Sequence, residues 1–402
     1  VLGHLFEVLY FTSLRTEESQ PITCTVTYLD PKRPDPTPPR SPHPGRWSVT
    51  RLGQTCELSV PNLVKLSCAA DPVASSLAVF HGADGELFIW GMVDQALQSQ
   101  GFVTPETSHG PERPGVFHAT VAPAQISVFR GNRLLASLIH GELTHKFHDV
   151  FRQPGRIQKV LERHIAHFTA RVRATVGNDV YDEGERLGED MGRLWVSTLC
   201  RVLTGIQGYH HGGAVLLVER HESAGLNVKY ALAYPRLGLA LERFAVTRIR
   251  GAQARDRLWK GYLLDDESGD LPGDLHLEEG RSLSAETDCQ NEIMGCVRFI
   301  ASLSRADGLV VMDRGLAVGG FGVEITVPEE PAAVFLAGDT EGSSSESRPV
   351  DYTHFGIRHR SMMRYCYRYP GSVGLVVSQD GTIRALTRDG TRLVLWETIQ
   401  LF

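Results

Sequence analysis

The sequence predicts an α/β protein: a C-terminal mixed central sheet flanked by helices, preceded by a β-rich N-terminal region and linking helices. Three observations predict it. Short apolar runs bounded by Gly and Asp turns recur between 46 and 140. Two apolar stripes at helical period follow, over 149–172 and 182–203. Beyond them, short apolar runs of strand length alternate with an amphipathic stretch, the pattern of a sheet with helices between its strands.

The composition is that of a globular chain able to bury real cores: of 402 residues, 42% are hydrophobic and 22% charged. At roughly 100–200 residues per domain, this length corresponds to two domains or three. Lys and Arg number 41 against 47 Asp and Glu, and a formal charge of 41 − 47 = −6 argues against bulk electrostatic binding to nucleic acid. The seven cysteines are odd in number and show no C-x-x-C or Cys/His zinc spacing. They read as reduced thiols in a cytoplasmic protein. No apolar run approaches the ~18 residues that a membrane span needs. The opening stretch 1–11 is apolar but lacks a basic leader and is interrupted by His4 and Glu7, so it does not read as a secretory signal.

In chain order, residues 31–45 carry seven prolines and read as a polyproline-like connector. Leu77–Phe80 and Leu87–Trp90 flank Gly82-Ala83-Asp84-Gly85, a hairpin turn. Gly115–Val121, Ile126–Phe129 and Leu134–Leu138 complete the β-rich region. The helical stretch from Asp149 to Val172 is broken near Pro154-Gly155. Its His164 and His167 share a face and, with no third ligand at suitable spacing, read as solvated. A second helix over 182–203 carries Leu187, Met191, Leu194, Trp195, Leu199 and Val202 on one stripe. Strands are expected at 211–218, entered through a glycine turn, and at 226–234, 308–312, 316–325, 373–378, 382–386 and 393–395, with helices at 291–304 and 359–369. Residues 264–288 and 331–351 read as polar loops, the second of them mobile.

Two stretches can carry chemistry. Arg305-Ala306-Asp307-Gly308-Leu309 places a carboxylate and a glycine at the mouth of a buried strand. The carboxylate can hold a divalent metal or orient a hydroxyl, and the glycine lets a ligand approach the backbone. The competing reading is a bare Asp-Gly turn. The second stretch is Gly356-Ile357-Arg358-His359-Arg360-Ser361, two guanidiniums flanking an imidazole where a loop enters a helix. Free N–H groups and the positive dipole end favour an anion there, and Arg358 and Arg360 can fork onto phosphate oxygens. The competing reading is a solvated basic patch. With no G-x-x-x-x-G-K-[ST], the chain is not a P-loop NTPase.

Taken together, Asp307-Gly308-Leu309, Gly356–Ser361 and the buried strand Gly374-Leu375-Val376-Val377-Ser378 resemble, in that order, the diadenylate cyclase domain, which joins two ATP molecules into cyclic di-AMP. The strand 212–218 resembles the first core strand of that family, and the resemblance covers roughly residues 190–402. The N-terminal half, through Leu87-Phe88-Ile89-Trp90-Gly91, resembles the accessory sensor region that precedes the domain in one bacterial subgroup. The organisation implied is 1–45, an N-terminal segment with a Pro-rich linker; 46–140, a β-rich sensor region; 141–189, linking helices; and 190–402, the cyclase-like domain. By resemblance, Asp307 serves Mg2+ or Mn2+ and the attacking 3′-hydroxyl. Gly308 and Leu309 line the nucleotide, Arg358, His359 and Arg360 hold the triphosphate, and Gly356, Ser361 and Ser378 add ATP contacts. The partners implied are ATP and a second protomer, two domains meeting face to face, with neither membrane nor nucleic acid. Leu309 stands where the family has a small residue and Ile357 where it often has Thr. The alternative is therefore a catalytically degenerate nucleotide-binding sensor.

Overall fold

The computed structural model describes residues 1–34, 47–70, 75–94, 117–130, 133–139, 141–144, 147–177, 184–209, 211–219, 224–264, 273–379 and 381–401. Most of the proline-rich stretch, and Gly115 and Val116 of one expected strand, lie outside them. The chain divides into two compact units, Val1–Phe147 and His148–Leu401.

In the first unit, helices α1 (Leu2–Ser13) and α2 (Val60–Ser67) accompany a sheet. A small ribbon pairs β1 (Thr16–Glu17) with β2 (Gln20–Pro21). The main sheet comprises β3 (Cys24–Tyr28), β4 (Ser48–Glu57), β5 (Ser75–His81), β6 (Leu87–Asp94), β7 (Phe117–Ala122), β8 (Gln125–Arg130), β9 (Arg133–Ile139) and β10 (Glu142–Thr144). Its order is β10-β9-β8-β7-β3-β5-β6-β4. The hairpin expected between β5 and β6 is present, with Gly85 at φ +88° and Gly82 N donating to Glu86 O at 2.8 Å. The first 45 residues are not set apart from this sheet, because β3 pairs with β5 on one side and β7 on the other. Leu5, Val8 and Leu9 of α1 and Leu63 of α2 bury against Cys24, Val26, Leu77, Val79 and Ile89, one face of the sheet. On the intervening positions hydroxyls pair across strands: Thr27 with Ser76 at 2.7 Å, Thr25 with Thr120 at 3.2 Å and Ser127 with Ser137 at 2.9 Å.

The second unit is a three-layer α/β structure. Its sheet contains β11 (Gly213–Leu217), β12 (Leu226–Tyr234), β13 (Leu309–Met312), β14 (Val318–Ile325), β15 (Val334–Leu336), β16 (Arg348–Val350), β17 (Val373–Val377), β18 (Ile383–Asp389) and β19 (Arg392–Trp396). The order is β12-β14-β13-β11-β17-β18-β19-β15-β16. Four helices, α3 (Arg156–Val176), α4 (Gly184–Gln207), α5 (Arg236–Leu264) and α6 (Gly273–Leu303), contribute to the core on one face. Helix α7 (Ile357–Arg368) covers the other. Alternation along β11 sends Val215 and Leu217 to the four-helix side and Ala214 and Leu216 to the α7 side. Burial on both faces is why these central strands read as unbroken apolar runs. Gly374 lets α7 pack directly onto β17, since a Cβ there would run into Met362.

The structure corrects several expectations. Residues 273–288 are helix rather than loop: α6 runs 31 residues and the amphipathic stretch at 291 is its second half. Its partner α5 occupies residues to which the sequence pattern gave no element. The two helices come close at Gly251, where a Cβ would lie 3.2 Å from Ser282 Cβ. Residues 331–351 hold two strands rather than a mobile loop, tied by Ser343 Oγ donating to Asp339 Oδ2 at 2.6 Å and by Trp396 Nε1 donating to Asp339 O at 2.8 Å. The His164/His167 pair does not form a solvated face. His164 is 2% exposed, its ring 5.7 Å from that of Trp195, and burial pushes its pKa down to about 4. All seven cysteines are free thiols. Among the described residues, no helix is long and apolar enough to cross a membrane.

Candidate functional site

Sheet register collects the sequence-selected residues at one end of the second unit. Strand β11 runs parallel to β13, with Val215 on Val310, so Gly213 continues alongside Gly308. Strand β11 runs antiparallel to β17, with Gly213 on Val377. The start of β13, the start of β11 and the end of β17 therefore share one sheet end. Gly308 and Val377 are two strand spacings apart, about 10 Å.

Asp307 is exposed, on the turn that enters β13. Gly308 has φ +109°, and a Cβ there would lie 2.6 Å from Gly322 C and 2.8 Å from Val323 N. Only glycine fits that crossing. The ring of Tyr230, 46% exposed and stacked on Phe321 at 4.9 Å, lies over Gly322 beside the Asp307 carbonyl. Leu309 differs from its expected role: it is 4% exposed, in the core beneath α7, so its side chain does not line the surface.

Helix α7 brings the second motif to the same end. No side chain caps its start at Gly356, so the first-turn N–H groups face outward unpaired by a cap. Arg358 Nη1 lies over Gly212, where an added Cβ would meet it at 3.1 Å together with Val377 O. Gly212, at φ +70°, thus makes room for the guanidinium between β11 and β17. Arg360 Nε is buried and has no hydrogen-bond partner among the described residues. A buried guanidinium nitrogen left over is what an incoming anion would satisfy. Ser361 Oγ donates to Arg358 O at 3.1 Å and is thus turned back onto the helix. Ile357, by contrast, is 76% exposed.

Sequence reasoning missed Arg384. From β18 its Nη1 donates to Ser378 Oγ at 2.8 Å and lies 3.4 Å from His359 Nε2, while its Nε pairs with Glu397 at 3.3 Å. Its guanidinium sits 5.6 Å from the Phe355 ring centre. The available signal was an arginine between the buried apolar residues Ile383 and Ala385 at the start of the strand. Gln207, at the end of α4, was also missed; its Nε2 donates to Gly381 O at 2.7 Å and braces the turn after Ser378.

Among the described residues, no three His, Cys, Asp or Glu side chains gather to hold a metal. Asp307 belongs to no such group among the described residues. That fits Mg2+ or Mn2+ arriving with a phosphate ligand, because such ions take one or two carboxylates and complete their shell with phosphate oxygens and water.

Residues 1–94 match the family model described as "Probable sensor domain DACNV". The match ends where β6 ends, at Asp94, and spans less than a quarter of the chain. It supports a sensor region at the N-terminus, the part of the chain in which Leu87–Gly91 carried the resemblance. No curated protein matches the chain. No solved structure matches it either.

Proposed function

We propose that the second unit is a diadenylate cyclase domain that condenses two ATP into cyclic di-AMP and two pyrophosphates, under the influence of the N-terminal sensor region. The observation that supports it most is the register that sets Asp307-Gly308 and the Arg358-His359-Arg360 helix start at one sheet end. In this reading the triphosphate lies at the start of α7, held by Arg358 and Arg360. Asp307 holds Mg2+ or Mn2+, which supplies charge neutralisation at the phosphates, and orients the 3′-hydroxyl. That oxygen attacks the α-phosphorus of the ATP on a second protomer. A P–O bond forms, the bond to pyrophosphate breaks, and the hydroxyl proton is released. The same exchange in the other direction closes the ring, so two protomers face each other. Gly308 lets the start of β13 cross close to β14 beside Asp307, and Leu309 acts through its main chain only.

The test is incubation of the purified chain with ATP and Mn2+, followed by chromatography of the nucleotides. Cyclic di-AMP and pyrophosphate are expected in a 1:2 ratio. ATP binding without product would favour the second reading, a nucleotide-binding sensor without turnover. The observation on its side is Ile357, which puts an exposed aliphatic side chain at the helix start. Absence of both binding and product would remove both readings.

A further inference from the structure

We propose that Arg384 is a positioning residue of this site: it fixes the tautomer of His359 and turns Ser378 into a hydrogen-bond donor. The inference rests on the anion-binding reading of the site given above. Its basis is a convergence of four other segments on one guanidinium. Arg384 comes from β18, Ser378 from the turn after β17, His359 from α7, Phe355 from the loop before α7, and Glu397 from the residue after β19. Val376 is paired with Arg384 across β17 and β18, and Ser378 is two residues further on, so both lie on the face that α7 covers.

The chemistry follows from proton counting. A guanidinium is protonated at any working pH and has donors only. Nη1 carries two hydrogens, one for Ser378 Oγ at 2.8 Å and one for His359 Nε2 at 3.4 Å. An imidazole nitrogen facing a donor must be the unprotonated one, so the neutral ring carries its proton on Nδ1. Ser378 Oγ accepts from Arg384, which leaves its own O–H proton to be given away. Two groups that can each donate or accept are thereby given defined roles, and a serine that donates suits a phosphate oxygen. Glu397 on Nε and the Phe355 ring beneath the plane hold the fork in orientation. Lysine, a point charge without a fork, cannot make these contacts together.

The test uses the full chain labelled with 15N-histidine, at pH 8, where imidazole is neutral. His359 is assigned by the signal lost in His359→Gln. The expected result is an Nδ1–H tautomer in the wild type, moving towards Nε2–H in Arg384→Met, with Glu397→Gln moving it less in the same direction. Calorimetry with ATP and Mn2+ on the same proteins should show affinity at least ~10-fold weaker in Arg384→Met, the loss of charge-assisted contacts acting through two donors. An Nε2–H tautomer in the wild type overturns the proposal without recourse to any variant, as does an unchanged tautomer in folded Arg384→Met. If the tautomer shifts as expected but the wild type binds no ATP, the positioning role stands and the nucleotide reading falls.

Discussion

Gly308→Ala is the substitution whose effect the geometry determines most directly. The backbone at 308 has φ +109°, which an L side chain adopts only under strain, at a cost of about 1–3 kcal/mol. The new methyl would also sit 2.6 Å from Gly322 C, 2.8 Å from Gly322 Cα and 2.8 Å from Val323 N. These are backbone atoms in β14, paired on one side with β13 and on the other with β12, so they cannot swing away as a side chain would. Overpacking of this kind typically adds about 1–3 kcal/mol. The sum is about 2–6 kcal/mol. For a unit of this size each kcal/mol lowers Tm by about 2–4 °C, so a central loss of about 4 kcal/mol corresponds to roughly 8–16 °C. Differential scanning calorimetry of wild type and variant measures it. Because β13 begins beside Asp307, the variant should also lose product formation more steeply than stability at temperatures where it remains folded. A Tm within 2 °C of wild type would show that the β13–β14 crossing accommodates a methyl, and the steric argument for Asp307-Gly308 would collapse.

Four further outcomes follow from the same geometry. Asp307→Asn should keep the fold and reduce cyclic di-AMP synthesis by at least ~100-fold, as loss of a transition-state electrostatic contact does; near wild-type turnover would remove Asp307 from the chemistry. Arg358→Ala combined with Arg360→Ala should weaken ATP binding by on the order of 100-fold, two charge-assisted contacts being lost, and an unchanged calorimetric affinity would return the motif to a solvated basic patch. Activity per protomer should fall on dilution through a verified dimer-to-monomer transition, whereas a constant rate would argue against face-to-face catalysis. His164 should make the second unit acid-sensitive: its folded pKa of about 4 lies below its ordinary 6.5, so the unfolded chain binds the extra proton. Its stabilisation is complete above pH 6.5 and is lost as pH falls towards 4, by about 3 kcal/mol in all; urea unfolding at pH 7 and pH 4.5 should show a smaller pH difference in His164→Gln, and equal differences would contradict the burial argument.

The central strands of the second unit were legible because each is short, apolar and punctuated, whereas β15 and β16 fell in a stretch that reads as a polar loop. Gly213–Leu217, Leu309–Met312 and Val373–Val377 are buried on both faces, and such strands need an unbroken apolar run that turn residues delimit. The same holds for the hairpin at Gly82–Gly85 and for both chemical motifs, whose residue types carry their chemistry wherever they lie. The α5–α6 pair was not legible as a pair, since Gly251 disfavours a helix locally and gains its place from close packing against Ser282 and Glu286 of the other helix. His164 looked solvated because helical spacing tells which residues share a face but not what covers it; Trp195, 31 positions away, does. The candidate site divides in the same way. Sequence by itself determined the local ingredients: an aspartate before a conformationally permissive glycine, and arginines at a helix start. Tertiary structure decided that Gly213 lies between Gly308 and Val377, that Arg358 rests over Gly212, and that Arg384 reaches both Ser378 and His359. The physical reason is that strand register and helix packing join residues far apart in the chain, whereas sequence patterns report only on neighbours within a few turns or one strand.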